Sequence, residues 1–117
     1  MSSGYVPRRG DLVWLAFTPQ AGHEQAGTRP ALVLSPREYN RKVGLALVCP
    51  ITSQVKGYPF EVVLPPDCEI QGAVLADQVK SLDYRVRRAR FVEPAPAAVV
   101  EDVTARMLVL LDPEGAA

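Results

Sequence analysis

Prolines set the grain of this chain. Eleven of its 117 residues are proline, about twice the usual share, and they punctuate the sequence instead of clustering. Proline has no N–H to give a ladder or a helix interior, so it ends the apolar run it meets. Residues 12–17 stop short of Pro19, 31–35 at Pro36, 45–49 at Pro50 and 60–64 at Pro65. Continuous apolar runs of that length, rich in β-formers, predict buried strands. A fifth strand is expected over 73–79, where Asp77 and Gln78 interrupt the apolar pattern, and a short last one over 88–92. Residues 37–42 suit one helical turn ahead of Gly44.

Pro96 fits the first turn of a helix. After it, Val99 or Val100, Val103, Met107, Leu110 and Leu111 recur at helical spacing until Asp112 and Pro113, which predicts a terminal helix over 96–111 with one apolar stripe facing a core. Five or six short strands with tight turns and a terminal helix imply a small, strongly bent sheet that closes as a barrel. With 48% hydrophobic and 22% charged residues, the chain has the balance of one globular domain spanning 1–117, not of a disordered tail. No linker, repeat or low-complexity block divides it.

The apolar runs fall far below the roughly 18 residues a membrane span requires. No small-residue cleavage site follows the run behind Arg8 and Arg9, so the mature chain is expected to start here and to stay in the cytoplasm. Cys49 and Cys68 are the two cysteines and His23 the single histidine, too few for a structural zinc site or a disulfide framework. Neither metal nor cofactor is expected. Cys49, inside an apolar run, reads as a small core residue, and Cys68, after a Pro-Pro-Asp turn, as an exposed one.

Net charge is +0, from 13 basic and 13 acidic residues, but the charges are segregated. Residues 1–60 and 80–90 are each net basic, whereas 61–79 and 91–117 are each net acidic. A zero total can hide a basic face for phosphate and an acidic one elsewhere, or the charges can simply alternate on solvated loops. The run Arg85, Arg87, Arg88, Arg90 is most simply a solvated strand face, whose alternate positions could also track a nucleic-acid backbone.

Two polar loops hold the residues suited to phosphate. Residues 18–30 carry His23, Glu24, Gln25 and Arg29, and loops of about a dozen structureless residues are often functional. Residues 50–59 carry Thr52, Gln54 and Lys56. Arg29, next to Pro30 at the mouth of a strand, can offer a positioned guanidinium fork to phosphate oxygens, or it can pair with Glu24 or Glu61 for structure. Thr52 can donate its hydroxyl to a phosphate oxygen or serve as a turn residue. His23 is either a general base or a plain loop histidine. Asp77 and Gln78 are buried supports for a loop or readers of a ligand.

Four stretches, in order and without large gaps, carry a family resemblance: Gly10-Asp11-Leu12-Val13-Trp14; Glu24-Gln25-Ala26-Gly27-Thr28-Arg29-Pro30 with the run that follows to Pro36; Pro50-Ile51-Thr52-Ser53-Gln54-Val55-Lys56-Gly57-Tyr58-Pro59-Phe60-Glu61-Val62; and Leu75-Ala76-Asp77-Gln78-Val79-Lys80-Ser81. Over residues 5–92 the chain resembles the MazF/PemK-type endoribonuclease toxins of toxin–antitoxin pairs. The resemblance implies an SH3-like barrel of the CcdB/PemK type with a C-terminal helix, and a homodimer that cuts single-stranded mRNA without metal and is held by a MazE-like antitoxin. It places the catalytic pair on Arg29 and Thr52, with Glu24 and Lys56 as further candidates. Thr28 stands where some relatives have a histidine before the arginine, and the 65–71 turn departs from the relatives.

The chemistry implied is attack of a ribose 2′-hydroxyl on the adjacent phosphorus, giving a 2′,3′-cyclic phosphate and a 5′-hydroxyl. Arg29 would stabilise the charge and Thr52 would bond a phosphate oxygen. An arginine is a poor base at neutral pH, which favours Glu24 as the proton acceptor, then His23. Gln25, Thr28, Gln54, Lys56, Gln78 and His23 are the candidates for holding RNA, read on unstacked bases at a short, ACA-like motif. The rival expectation is a CcdB-type toxin that binds DNA gyrase and cuts nothing, because a shared barrel cannot by itself separate the two.

Overall fold

The structure, a computed structural model, describes residues 4–17 and 27–115. Among these, seven strands and two helices follow one another as β1 (Asp11–Ala16), β2 (Thr28–Val33), α1 (Arg37–Val43), β3 (Ala46–Thr52), β4 (Glu61–Val63), β5 (Ala73–Leu75), β6 (Lys80–Leu82), β7 (Arg90–Pro94) and α2 (Ala97–Leu111). All strand pairings are antiparallel, in the order β4-β5-β3-β2-β1-β7 with β6 added along β3.

The apolar runs are continuous because the central strands are buried on both faces. Leu12, Leu32, Cys49 and Ile51 point into one core, filled from outside by Val62, Val74 and by Val99, Val100 and Val103 of α2. Their neighbours Val13, Leu15, Ala31, Val33 and Val48 point into the other, closed by Leu82, Tyr84 and the N-terminal Tyr5 and Val6. Buried Asn40 of α1 ties three segments to this second core: its amide donates to the carbonyls of Pro7 (2.8 Å) and Ser35 (3.1 Å), and its carbonyl accepts the Tyr84 hydroxyl (3.0 Å). Gly44, with φ +80°, ends α1 in the left-handed conformation that a Cβ disfavours.

The mainly antiparallel sheet, strongly bent and with a C-terminal helix, is the expected architecture, with one correction. Among the described strands the sheet does not close: β4 pairs only with β5, and β7 only with β1. The first turns of α2 fill the core where closure was expected. The apolar stripe of α2 is likewise buried only in part, since Leu110 and Leu111 are exposed beyond the last contact at Met107.

Two local expectations are also corrected, and one strand is added. The strand expected over 73–79 ends at Leu75, and Asp77 and Gln78 lie in a turn closed by the Gln78 N–H on the Leu75 carbonyl (3.1 Å). Strand β6 follows it, three residues of which two are exposed. Residues 85–88 form a turn instead of a strand face, with Arg88 at φ +57°. Arg87 points inward there, its guanidinium donating to the carbonyls of Ala16 (3.2 Å) and Phe17.

Candidate active site

The polar loops meet where the β2–β3 ladder stops. That ladder runs Val33–Val48, Leu32–Cys49 and Ala31–Pro50, and its next two steps would set Pro30 against Ile51 and Arg29 against Thr52. Pro30 and Pro50 have no N–H to continue it. From Ile51 onward β3 instead pairs with β5.

Residues 51–54, the end of β3 and the two residues after it, then alternate between two shallow depressions. Ile51 and Ser53 line one of about 330 Å3, together with Trp14, Thr28, Arg29 and the 69–71 segment. Thr52 and Gln54 line a second of about 470 Å3, with Lys56, Tyr58, Glu61 and Gln78. Six of the residues singled out from sequence therefore group as Thr52, Gln54, Lys56 and Gln78 on one side and Arg29 and Thr28 on the other. His23, Glu24 and Gln25 lie outside the described residues.

Thr52 acts locally as a turn residue, because its Oγ1 accepts the Gln54 N–H (3.0 Å). A hydroxyl that accepts in this way keeps its proton to donate. The Thr52 backbone is also fixed from behind by Gly72, where an added Cβ would lie 2.1 Å from the Thr52 carbonyl oxygen.

The second loop is held by charged side chains acting on its backbone. Glu61, nearly buried, does not pair with Arg29. Its carboxylate accepts the N–H groups of Lys56 (3.1 and 3.2 Å), Gly57 (2.8 Å) and Tyr58 (3.2 Å). The Tyr58 hydroxyl donates to Asp77 (2.6 Å), and that hydrogen bond raises the Tyr58 pKa. Arg106 of α2, paired with Asp102 (2.8 Å), donates to the Pro59 carbonyl. Asp77 is therefore a support for this loop, and Gln78 is exposed beside it. Buried Cys49 lies near Asp77, and burial first and that carboxylate second push its thiol up to about 12.

The first loop is gripped at its root. The Phe17 N–H donates to the Gly27 carbonyl and the Ala16 N–H to the Arg87 carbonyl, both at 2.9 Å. The bracing roles of Glu61 and Arg87 are not apparent from the sequence motifs. A signal existed for Glu61, since an acid inside an apolar run must find donors.

Residues 8–111 match the family model described as the PemK-like, MazF-like toxin of type II toxin–antitoxin systems. The chain belongs to that family. It is 58% identical over 89 residues to the endoribonuclease toxin MazF of Escherichia coli K12, covering 76% of this chain and 79% of that protein. Its fold matches a crystal structure of MazF from Deinococcus radiodurans with a TM-score of 0.84 and 58% identity, covering 92% of this chain and 97% of the other. A MazE–MazF crystal structure from the same organism matches with a TM-score of 0.83 and 51% identity over the same shares. The chain is thus a MazF-type endoribonuclease toxin of a toxin–antitoxin system, and the gyrase-binding CcdB alternative is not favoured. Among the described residues no helix is long and apolar enough to cross a membrane.

Proposed function

We propose that this MazF-type toxin cleaves single-stranded mRNA in the cytoplasm at a short motif, ACA-like by family, and that the phosphodiester to be cut lies over the end of β3. The observation that carries this reading is the pair of polar depressions divided by residues 51–54. A phosphate over that ridge can meet Arg29 from one side and Thr52 from the other, while the flanking nucleotides enter one depression each.

In the proposed reaction the ribose 2′-oxygen attacks phosphorus and the P–O5′ bond breaks, leaving a 2′,3′-cyclic phosphate and a 5′-hydroxyl. The 2′-proton passes to a base and a proton is delivered to the leaving 5′-oxygen. Arg29 neutralises the charge that develops on the phosphorane oxygens, and Thr52 donates its hydroxyl to one of them. Lys56 and the amides of Gln54 and Gln78 hold the RNA in the second depression, Thr28 holds it beside Arg29, and Gln25 does so from the first loop. Glu24, or else His23, is the proton acceptor, since a guanidinium stays charged at neutral pH. Because the nucleophile belongs to the RNA, the chemistry asks for no cofactor. The working form is a homodimer, and its partner is a MazE-like antitoxin with an acidic, partly disordered segment that folds on the RNA-binding surface.

The test is incubation with a long single-stranded RNA in EDTA, beside Arg29→Ala and Thr52→Ala, with the 5′ ends of all fragments mapped. Cuts at one recurrent motif with 5′-hydroxyl ends are expected, with about 10²–10³-fold slower cleavage after loss of the arginine. Intact RNA, or unchanged cutting by Arg29→Ala, would refute the assignment.

A further inference from the structure

We propose that the depression beside Arg29 receives the nucleobase next to the scissile phosphate, and that Glu69 selects it by accepting a hydrogen bond from an exocyclic amino group. This rests on the ribonuclease reading of Arg29 above and adds a specificity-determining residue to it.

The depression has the composition of a base site. Trp14 and Pro30 give it apolar surface above the nearly buried Ile51 and Ile70, while polar groups make up the larger part of its lining, Arg29 and Glu69 among them with opposite charges. Unpaired bases are held by stacking on aromatic and other flat surfaces and are read at their edges by polar groups. The two charges do not neutralise each other. The ion pairs within 4.0 Å among the described residues are Arg41–Glu38 and Arg106–Asp102, so Arg29 and Glu69 share one depression while remaining apart.

The segment carrying Glu69 is braced at every step. The Glu69 N–H donates to the Glu93 carboxylate (2.6 Å), and Ile70 is 4% exposed in the first core. The Gln71 amide donates to the carbonyls of Pro65, Pro66 and Cys68 (3.3, 3.3 and 2.6 Å). Gly72 presses on the Thr52 carbonyl. Here Gln71 is spent on the turn, whereas the Glu69 side chain projects from it exposed. A braced turn that presents one carboxylate beside the phosphate-binding arginine has a selective function, because a carboxylate only accepts and is repelled by phosphate. Its favourable neighbour in an RNA chain is an amino group: N6 of adenine, N4 of cytosine or N2 of guanine. Uracil has none, and carbonyls flank its one N–H, so uracil is disfavoured at this position.

The experiment uses short single-stranded RNAs carrying the mapped cleavage motif with A, C, G or U in turn at each position flanking the cut. Cleavage is measured with the full-length protein and Glu69→Gln. A parallel series with a 2′-deoxy nucleotide at the cut site is read as Kd, so base preference is measured even without cleavage. The wild type is expected to disfavour uracil at one flanking position by about tenfold or more. Glu69→Gln, whose amide can donate to a uracil carbonyl, should erase that preference at that position alone, weakening the amino-bearing bases and raising uracil until the two are cut and bound alike. A parallel loss of rate on all four bases with Kd unchanged would overturn the proposal and make Glu69 part of the chemistry. Identical base preferences in both proteins would overturn it as well. Normal cleavage by Arg29→Ala would instead mark failure of the catalytic assignment of Arg29, while the Kd series still decides Glu69.

Discussion

Replacing Glu61 tests whether the second loop is built on a carboxylate. Oε1 alone accepts from Lys56, Gly57 and Tyr58, and Oε2 adds a second contact to Lys56. Hydrogen bonds to a charged group are each worth about 1.5–3 kcal/mol, so three donors set a gross loss of roughly 5–9 kcal/mol for Glu61→Ala. Residues 56–58 are exposed, however, and their N–H groups return to water when the carboxylate goes. The net cost that survives this exchange is about 2–3 kcal/mol. Glu61→Gln keeps an Oε1 acceptor but turns an NH2 towards the Lys56 N–H, and its expected cost is about 1 kcal/mol. Urea unfolding with a shared slope measures both, and amide exchange at residues 56–58 localises the loss. An alanine variant within 0.5 kcal/mol of wild type, with the Gly57 amide as protected as before, would refute the account.

Gly72→Ala forces a Cβ to within 2.1 Å of the Thr52 carbonyl at a φ of +124°. Destabilisation of at least about 2 kcal/mol is expected, with loss of cleavage beyond what the unfolded fraction explains; normal activity in a folded variant would argue against backbone buttressing of Thr52. The buried Cys49 thiol keeps its proton to about pH 12, whereas an unfolded thiol ionises near pH ~8.5. Its contribution is therefore intact below about pH 8.5 and is lost as pH climbs towards the native value, by up to about 1.4 kcal/mol per pH unit. Cys49→Ala should flatten that alkaline slope in chemical unfolding, and an unchanged slope would contradict it. Arg87→Ala removes the guanidinium from the Ala16 and Phe17 carbonyls, at about 1–2 kcal/mol. Its cleavage rate should fall far more than its stability, because a displacement of about 1 Å can cost a hundredfold; a weaker salt dependence of RNA binding at full rate would instead mark Arg87 as a phosphate contact.

The elements legible in the sequence are those packed on both sides. Strands β1, β2 and β3 are continuous apolar runs because cores lie on both faces, and α1 shows its end through Gly44. Strand β6 is not legible, since Lys80 and Ser81 are exposed and three residues carry no period. The overlong reading of 73–79 has the same origin: Val79 looks like a strand residue, but only β5 and the turn after it have partners. At the site, the sequence identifies which residue types can handle a phosphate, and the structure brings Thr52, Gln54, Lys56 and Gln78 to one depression. That Arg29 faces a different depression depends on where the ladder breaks, which Pro30 and Pro50 decide only when they fall on adjacent strands. Glu69 belongs to a turn whose shape no local pattern gives.

The charged residues outside the proposed chemistry explain how so many prolines are tolerated. Each proline removes a donor from the backbone, and several neighbouring backbone groups here are satisfied by an ionised side chain reaching from elsewhere. Arg87 serves the carbonyls of Ala16 and Phe17, and Arg106 serves that of Pro59. Glu61 takes the N–H groups of residues 56–58, Glu93 that of Glu69, and Asp11 that of Arg8. At half-buried Ala16 and Phe17 a carbonyl left unpaired would cost about 1–3 kcal/mol, whereas the exposed groups would return to water, so the braces act mainly by fixing the backbone where the ladder is missing. Of the basic block over residues 80–90, Arg87 is therefore engaged by the scaffold. Arg87 and Arg106 belong to the scaffold, while Arg29 and Lys56 stay exposed at the two depressions that flank the end of β3.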